Sequence, residues 1–260
     1  VINNLSKDRY EIYRIGITKD GRWFLYDGPT DSIPDGSWEQ SEQKRPAFLS
    51  PDRSVGGIVV RGRDRAEILP VDCVFPVLHG RNGEDGTVQG LLQLSGLPFV
   101  GCGTLSSALC MDKAVTHTLL AGVGIKQAQY LWFYYPRYLE HPEKVRIKIG
   151  ARLGYPVFVK PAGSGSSVGV SRVNGAAEGK KILVEEAVTG QEVECAVLGN
   201  DAAEAAPVVG EIAASAVFYD YDDKYKSGKS KLYIPAHLSE AVSEEMRSIA
   251  VRAYRTLERI

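Results

Sequence analysis

The chain has 260 residues, of which 44% are hydrophobic and 24% are charged, and its 31 basic residues nearly balance 32 acidic ones. This is an ordinary globular composition, and the length allows two or three lobes. The near-zero net charge gives no reason to expect nucleic acid or an anionic membrane as partner, so a small molecule is predicted instead. The four cysteines have no C-x-x-C spacing and form no ligand pair with the four histidines, which fits reduced cysteines in the cytoplasm.

The N-terminal part carries alternating strand and helix patterns. Tyr10–Ile17 is predicted to be a strand, and Val71–Leu78 a buried strand that runs into His79-Gly80. A helix over about Asp85–Leu94 and a strand over Pro98–Val100 follow and complete a βαβ unit. The first lobe is therefore predicted to be α/β.

A membrane span has to be considered at Thr87–Met111, which contains no charged residue. Interspersed Gln, Ser, Gly and Pro residues break this segment, so helix, turn, strand and helix are predicted there. No signal peptide is visible at Val1.

The remainder of the chain is predicted to be richer in strands. A helix over Thr104–Leu120, with Thr104 as N-cap, precedes this part. The predicted strands are Tyr130–Tyr135, Tyr155–Lys160, Ser167–Val173, Lys181–Ala187 and Glu192–Leu198. Further helices are predicted near Glu143–Leu153 and over Ser239–Leu257.

The segment around Lys160 is the most informative one. Lys160 ends an apolar strand, and a loop rich in glycine and serine follows over residues 163–169. Glycines let the backbone approach a ligand and turn its amides toward anionic oxygens, and serines add hydroxyl donors. A lysine held by a rigid strand beside such a loop is suited to polyphosphate, although the loop alone could be a plain hairpin connection. The P-loop order G-x-x-x-x-G-K-[ST] is absent, so a different nucleotide fold is predicted.

Two acidic residues follow Lys160 in the chain. Glu185 ends a strand, and Glu192 lies seven residues further on, past a turn. Such a pair suits the amino group of adenine and the hydroxyls of ribose. Surface acids on a strand are the alternative, and the position after Lys160 favours the nucleotide interpretation.

Gly101–Ser106 imitates a dinucleotide fingerprint, because it follows a predicted strand and opens a helix. That fingerprint requires an acidic residue about 20 positions later, and none occurs between Asp112 and Glu140. An NAD or FAD enzyme is therefore disfavoured.

Two further segments have both a functional and a purely structural interpretation. His79 stands where a strand ends and a helix begins, a place where an imidazole can orient a substrate. Glu84 and Asp85 in the same connection could simply cap the helix. Phe218–Gly228 is aromatic, charged and turn-prone, so it is either an exposed loop or a lid that closes over a phosphate.

Together these motifs resemble the D-alanine:D-alanine ligases, which have the ATP-grasp fold. The segments that carry the resemblance cover nearly the whole chain: His79–Thr87, Met111–Lys113, Val159–Pro161, Gly165–Gly169, Val184–Glu186, Glu192 and Phe218–Tyr225. The resemblance implies an α/β chain with an N-terminal βαβ substrate lobe at 1–103 and two strand-rich nucleotide-binding lobes. The central ATP-grasp lobe would span 104–190 and the C-terminal one 191–260.

The function that the resemblance implies is ATP-dependent synthesis of D-alanyl-D-alanine for the peptidoglycan precursor. The carboxylate of one D-alanine would attack the γ-phosphate of ATP to give an acyl phosphate, which the amine of the second would then attack. Both steps need charge neutralisation more than covalent help from the protein. The same resemblance implies Mg²⁺ or Mn²⁺ as cofactor, a cytoplasmic location and a homodimer.

The family match also assigns roles to individual residues. Lys113 and Lys160 would hold the ATP phosphates, and Glu185 and Glu192 would bind adenine and ribose. The remaining assignments are Phe218 near the purine, Ser167 with the nucleotide-binding set, Lys224 near the γ-phosphate, Ser166 and Tyr225 over the substrates, and His79 at the second D-alanine subsite.

This sequence departs from the family pattern at three places. The opening strand with its glycine-rich loop would precede Val1, and the metal ligands, in an Arg-x-Asp strand and a Glu-x-Asn, would lie beyond about Leu257. Only seven residues lie between Val173 and Lys181, where the family has a crossover helix. If these are real deletions, the chain should not turn over and would be a nucleotide-binding module without catalysis. The intact strand patterns on both sides of the short joint favour an interrupted sequence instead.

Two enzyme alternatives remain. A D-alanine:D-serine ligase of the vancomycin-resistance type is suggested by Leu105–Met111, whereas Lys224-Tyr225 favours D-alanine as second substrate. Another ATP-grasp ligase, acting on biotin or glutathione, has no reason to contain His79 with Gly83–Gly86.

Overall fold

The computed structural model describes residues 1–165, 181–213 and 230–258. It contains two compact units, residues 1–76 with 89–101 and residues 77–88 with 102–260. Helices and sheets are mixed along the chain, which confirms the α/β class. The lobe boundaries near residues 103 and 190 stay a prediction.

The first unit is built on a five-stranded antiparallel sheet in sequential order. Its strands are β1 (Ile15–Ile17), β2 (Trp23–Tyr26), β3 (Lys44–Leu49), β4 (Gly57–Arg61) and β5 (Ala66–Pro70). Because alternate residues of a strand point to one face, Leu49, Ile58 and Val60 enter the same core. Leu92 of helix α1 (Thr87–Ser95) packs into that core. The predicted helix is thus confirmed, and the predicted first strand is reduced to β1.

The predicted buried strand Val71–Leu78 is wrong. Within the described parts of the chain, only Val74 of this segment pairs, through a single parallel bridge to Phe99. The two strands of the expected βαβ unit are therefore joined by one residue pair only. Phe75 is 51% exposed. Pro76 gives a physical reason, because proline has no N–H for a strand ladder and restricts the residue before it.

The predicted helix Thr104–Leu120 is two helices in the second unit. These are α2 (Thr104–Met111) and α3 (Lys113–Gly122), and the chain leaves helical conformation at Asp112, where ψ is 96°. Gly103, not Thr104, is the N-cap of α2. The break matters because it places Lys113 at the first turn of its own helix.

The second unit contains a three-stranded antiparallel sheet in the order β6-β8-β7, called the central sheet below. Its strands are β6 (Tyr130–Tyr134), β7 (Val157–Pro161) and β8 (Lys181–Glu186), and the helices α4 (Tyr135–Glu140) and α5 (Pro142–Leu153) follow β6. Ile182 and Val184 of β8 pack with Ile149 of α5 on one face of the sheet. These three strands and the α5 helix confirm their predictions, while Ser167–Val173 lies outside the described residues.

The remaining elements form smaller assemblies. One sheet has the order β13-β12-β9, from β9 (Glu192–Glu194), β12 (Gly210–Ala213) and β13 (Lys231–Tyr233). A second pairs β10 (Val197–Leu198) with β11 (Glu204–Ala205), and α6 (Glu240–Glu258) closes the described chain. The predicted strand Glu192–Leu198 therefore divides between two sheets. Among the described residues, no helix has the length and apolar content that a membrane span requires.

Candidate functional site

The second face of the central sheet carries charged residues beside the buried side chain of Leu183. In the β7–β8 register, Lys160 lies opposite Leu183, and Glu185 lies two residues further along β8. Side chains two apart on a strand share a face, and diagonal neighbours across a pair are within reach of long side chains. The ammonium of Lys160 accordingly contacts Oε2 of Glu185. Both side chains are largely buried, at 23% and 12% exposure.

Helix α3 brings two more residues to this carboxylate and to the loop after β7. Lys113 and His117 are one helical turn apart and therefore lie on the same helix face. The Nε2 atom of His117 lies 2.7 Å from Oε1 of Glu185. The ammonium of Lys113 donates to the carbonyl of Ser164, and its backbone N–H donates to the carbonyl of Ala162 over 3.0 Å.

The Glu185 carboxyl is held ionised by its neighbours. Burial alone would raise its pKa, but hydrogen bonds from His117 and Lys160, with the positive charge of Lys160, bring the pKa below its usual range. An ionised carboxylate can only accept hydrogen bonds. Glu185 is therefore a fixed acceptor in a largely buried position.

The contact of His117 with Glu185 shows which ring nitrogen is the donor. Because the Glu185 carboxylate carries no proton, Nε2 of His117 must be the donor in the 2.7 Å contact. The Nδ1 atom is buried and has no hydrogen-bond partner among the described residues. The contact with Glu185 therefore requires a hydrogen on Nε2.

The surroundings of Lys113 disfavour its charged form. Burial lowers its pKa, and the charge of nearby Lys160 lowers it further, against the opposing effect of Glu185 and Asp112. The negative charge of an anion bound beside the two ammonium groups would oppose both effects. The residues that the structure brings together can therefore bind a polyphosphate and present a carboxylate acceptor next to it.

A second pair fixes the start of α3. Oδ1 of Asp112 accepts hydrogen bonds from the N–H groups of Ala114 and Val115, over 3.0 and 3.2 Å. The ammonium of Lys181 contacts both carboxylate oxygens of Asp112, at 3.1 and 3.0 Å, and lies 4.4 Å from the ring centre of Trp132. Asp112 and Lys181 thus tie the first turn of α3, which carries Lys113, to strand β8.

Sequence reasoning missed His117, Asp112 and Lys181 as parts of this arrangement. An aspartate before an apolar helical pattern is a common N-cap, so the role of Asp112 was open to prediction. The other two depend on pairing between residues that are 68 and 69 positions apart, which local patterns do not reveal.

Replacing Asp112 with Ala is expected to lower the free energy of unfolding by about 1–2 kcal/mol, because the helix loses its cap. Asp112→Asn keeps the capping oxygen but loses the ion pair with Lys181. The Asp112 side chain is about one third exposed, so this ion pair contributes no more than about 1 kcal/mol. Urea unfolding measures both variants, and an Asn variant as unstable as the Ala variant would contradict the capping role.

His79 and Glu192 are not joined to this cluster by any contact of the described residues. His79 is exposed, and its Nδ1 lies 3.7 Å from Oε1 of Glu84. Glu192 is an exposed residue of β9 that lies opposite Ile212 of β12. Their proposed roles at the second substrate and the ribose stay predictions.

The structural interpretation of the connection before α1 is supported by its hydrogen bonds. The backbone N–H of Gly80 donates to Oε2 of Glu84 over 2.5 Å, and that of Thr87 donates to Oδ1 of Asp85 over 3.1 Å. Burial would raise the pKa of Asp85, but the hydrogen bonds from Asn82 and Thr87 outweigh it and the pKa is lowered. Glu84 and Asp85 therefore hold the turn and the first residue of the helix.

Five predicted site residues lie outside the described residues: Ser166, Ser167, Phe218, Lys224 and Tyr225. Within residues 1–165, 181–213 and 230–258, no group of three or more His, Cys, Asp or Glu could hold a metal ion. No residue is therefore assigned to a metal.

Comparisons with known proteins agree over almost the whole chain. The profile of the D-ala D-ala ligase N-terminus matches residues 1–102, and that of the D-ala D-ala ligase C-terminus matches residues 119–259. The D-alanine–D-alanine ligase of Caldicellulosiruptor bescii is 44% identical over 99% of this chain and 73% of its own length. That of Acetivibrio thermocellus is 43% identical over 99% and 74%.

Solved structures give the same result. The VanG D-Ala:D-Ser ligase from Enterococcus faecalis has a TM-score of 0.83 and 39% identity, over 99% of this chain and 76% of its own. The D-alanine-D-alanine ligase from Coxiella burnetii has a TM-score of 0.79 and 30% identity, over 99% and 70%. These matches confirm the ATP-grasp fold predicted from the motifs. The chain belongs to the D-alanine–D-alanine ligase family.

Proposed function

We propose that this chain is the ATP-dependent ligase that joins two D-alanines into D-alanyl-D-alanine through an acyl phosphate, for peptidoglycan precursor synthesis. The observation that carries this proposal is the pair of partly buried ammonium groups, Lys113 and Lys160, gathered around the single carboxylate of Glu185. Membership of the ligase family supplies the reaction type.

Each residue of the cluster has a role that suits its chemistry. ATP, when bound, supplies the phosphoryl group that activates a substrate carboxylate. Lys113 and Lys160 would neutralise its phosphates, and the lowered pKa of Lys113, caused by burial and by the charge of Lys160, is support because the charge of a bound anion would offset that shift. Glu185 would accept a hydrogen bond from the amino group of adenine.

Other assignments rest on the sequence motifs alone. Glu192 is proposed for the ribose, Phe218 for the purine, Ser167 for the nucleotide and Lys224 for the γ-phosphate. Ser166, Tyr225 and His79 are proposed for the two amino-acid substrates.

The finer properties are proposals of the same kind. ATP and a divalent metal follow from the family, and Mg²⁺ is proposed over Mn²⁺ because Mg²⁺ is usually bound through substrate phosphates with few carboxylates. A homodimer and a cytoplasmic location are proposed from the family resemblance.

D-serine is the second candidate for the attacking amine, because VanG is a D-Ala:D-Ser ligase and is 39% identical to this chain. The curated relatives named above are D-alanine–D-alanine ligases at 43–44% identity. D-alanine is therefore the preferred second substrate.

ADP release by the purified protein with ATP and Mg²⁺ tests the proposal. D-alanine alone is expected to drive turnover, with D-serine, D-lactate and L-alanine as comparisons. D-alanyl-D-serine from mixed amino acids would favour the second candidate, and turnover with L-alanine alone would overturn both. Lys148→Ala, which removes an exposed lysine of α5, is a matched control that should keep full activity.

A further inference from the structure

His117 is the one imidazole that the structure places against the nucleotide-site carboxylate among the described residues. It extends from the same face of α3 as Lys113, is 14% exposed, and stacks on the ring of Tyr130 with centroids 4.5 Å apart. Tyr130 in turn lies opposite Glu185 in the β6–β8 register. The ring is therefore held between a stacking partner and a charged acceptor.

The two oxygens of Glu185 are held by different partners. Oε1 accepts the Nε2 hydrogen of His117 over 2.7 Å, and Oε2 contacts the ammonium of Lys160. A rotation of the carboxylate would disturb both contacts together. Without His117, Oε1 would lose its donor and the carboxylate would be held only through Oε2 by Lys160.

We propose that His117 is a positioning residue that fixes the Glu185 carboxylate as an acceptor and so makes the site select adenine over guanine. The inference rests on the proposed function, in which Glu185 faces the purine edge. Adenine has an amino donor at the position where guanine has a carbonyl acceptor. A fixed carboxylate accepts from the first and repels the second, and sites built on one hydrogen-bonding pattern discriminate strongly.

Two substitutions separate the hydrogen bond that His117 donates to Glu185 from its stacking on Tyr130. His117→Gln keeps an N–H donor at a similar distance but loses the aromatic ring, so it should preserve selection if hydrogen bonding is what matters. His117→Phe keeps an aromatic ring for stacking on Tyr130 but has no donor. His141→Gln, at the exposed start of α5, is the matched control.

Calorimetric binding of ADP and GDP, each with Mg²⁺, measures the selectivity without requiring turnover. The Phe variant is expected to lower the ADP-to-GDP affinity ratio by about tenfold or more, as the loss of one hydrogen bond to a charged group implies. The Gln variant and the control should stay within about threefold of wild type, since they retain the donor to Glu185. An unchanged ratio in the Phe variant, or the same loss in both variants, would overturn the proposal.

A second measurement does not depend on variant folding. Nitrogen-15 NMR of the wild-type ring should show a hydrogen on Nε2, and a hydrogen on Nδ1 alone would contradict the donor role. Failure of the ligase proposal would appear separately: the wild-type protein would bind ADP with the expected selectivity but would form no ADP from ATP in the presence of D-alanine.

Discussion

Lys160→Ala is expected to lower kcat/KM for ATP by about 100- to 1000-fold, the range found when one preorganised partner of developing charge is removed. The kcat/KM for ATP should fall while the KM for D-alanine changes little, because Lys160 contacts Glu185, the residue proposed to bind adenine. Initial rates at varied ATP and saturating D-alanine measure the effect. Unchanged ATP kinetics would remove Lys160 from the site.

The same variant should also be less stable, because Glu185 keeps His117 but loses a charged partner in a largely buried position. A loss of about 1–3 kcal/mol is expected. Adding Glu185→Gln to Lys160→Ala should recover part of this stability without recovering ATP use. That double variant separates damage to the fold from damage to the site.

The lowered pKa of Glu185 determines how the stability of the fold changes with pH. Its pKa is lowered in the folded state, so its contribution to stability is present above the ordinary carboxyl pKa of about 4.3 and is lost as pH falls through the folded value. Removing the Lys160 charge raises the folded pKa. Acid unfolding of Lys160→Ala should therefore begin at a higher pH than that of the wild-type protein.

Leu183→Ala is expected to lower the free energy of unfolding by about 2–5 kcal/mol, since the side chain is fully buried and the substitution leaves a cavity. The melting temperature should fall by roughly 5–15 °C. Leu183 lies between Lys181 and Glu185 on the same face of β8, so ATP affinity should fall with stability. Thermal unfolding followed by circular dichroism checks the first effect.

Leu198→Ala provides the control for that substitution. Leu198 is a strand residue of β10 with 81% exposure, so its truncation should change stability by less than about 0.5 kcal/mol. Equal losses in the two variants would contradict the assignment of Leu183 to a packed interior.

The strands of the central sheet were predictable because their patterns are local. Tyr130–Tyr134 and Lys181–Glu186 are continuous runs of strand-forming residues, and the order of Lys160 and Glu185 along the chain indicated a nucleotide site. The register that makes these two residues diagonal neighbours is a tertiary property. It could be inferred only from the family resemblance.

Other parts of the fold depend on features that the apolar pattern hides. Asp112 divides one long apolar segment into two helices by capping the second, and the pattern on both sides continues as if unbroken. Phe75-Pro76 stops a segment whose composition resembles a buried strand. The sheet β1–β5 was missed although its strands pair in sequence order, because β1 has only three residues and the edge strand β5 is mostly exposed.

A crystal structure of the protein with ADP and Mg²⁺ tests the central claim most directly. The account predicts that the ammonium groups of Lys113 and Lys160 both lie about 3 Å from phosphate oxygens, with Glu185 accepting from the purine amino group. ADP bound elsewhere, with Lys160 still on Glu185 and Lys113 still on the Ser164 carbonyl, would contradict it.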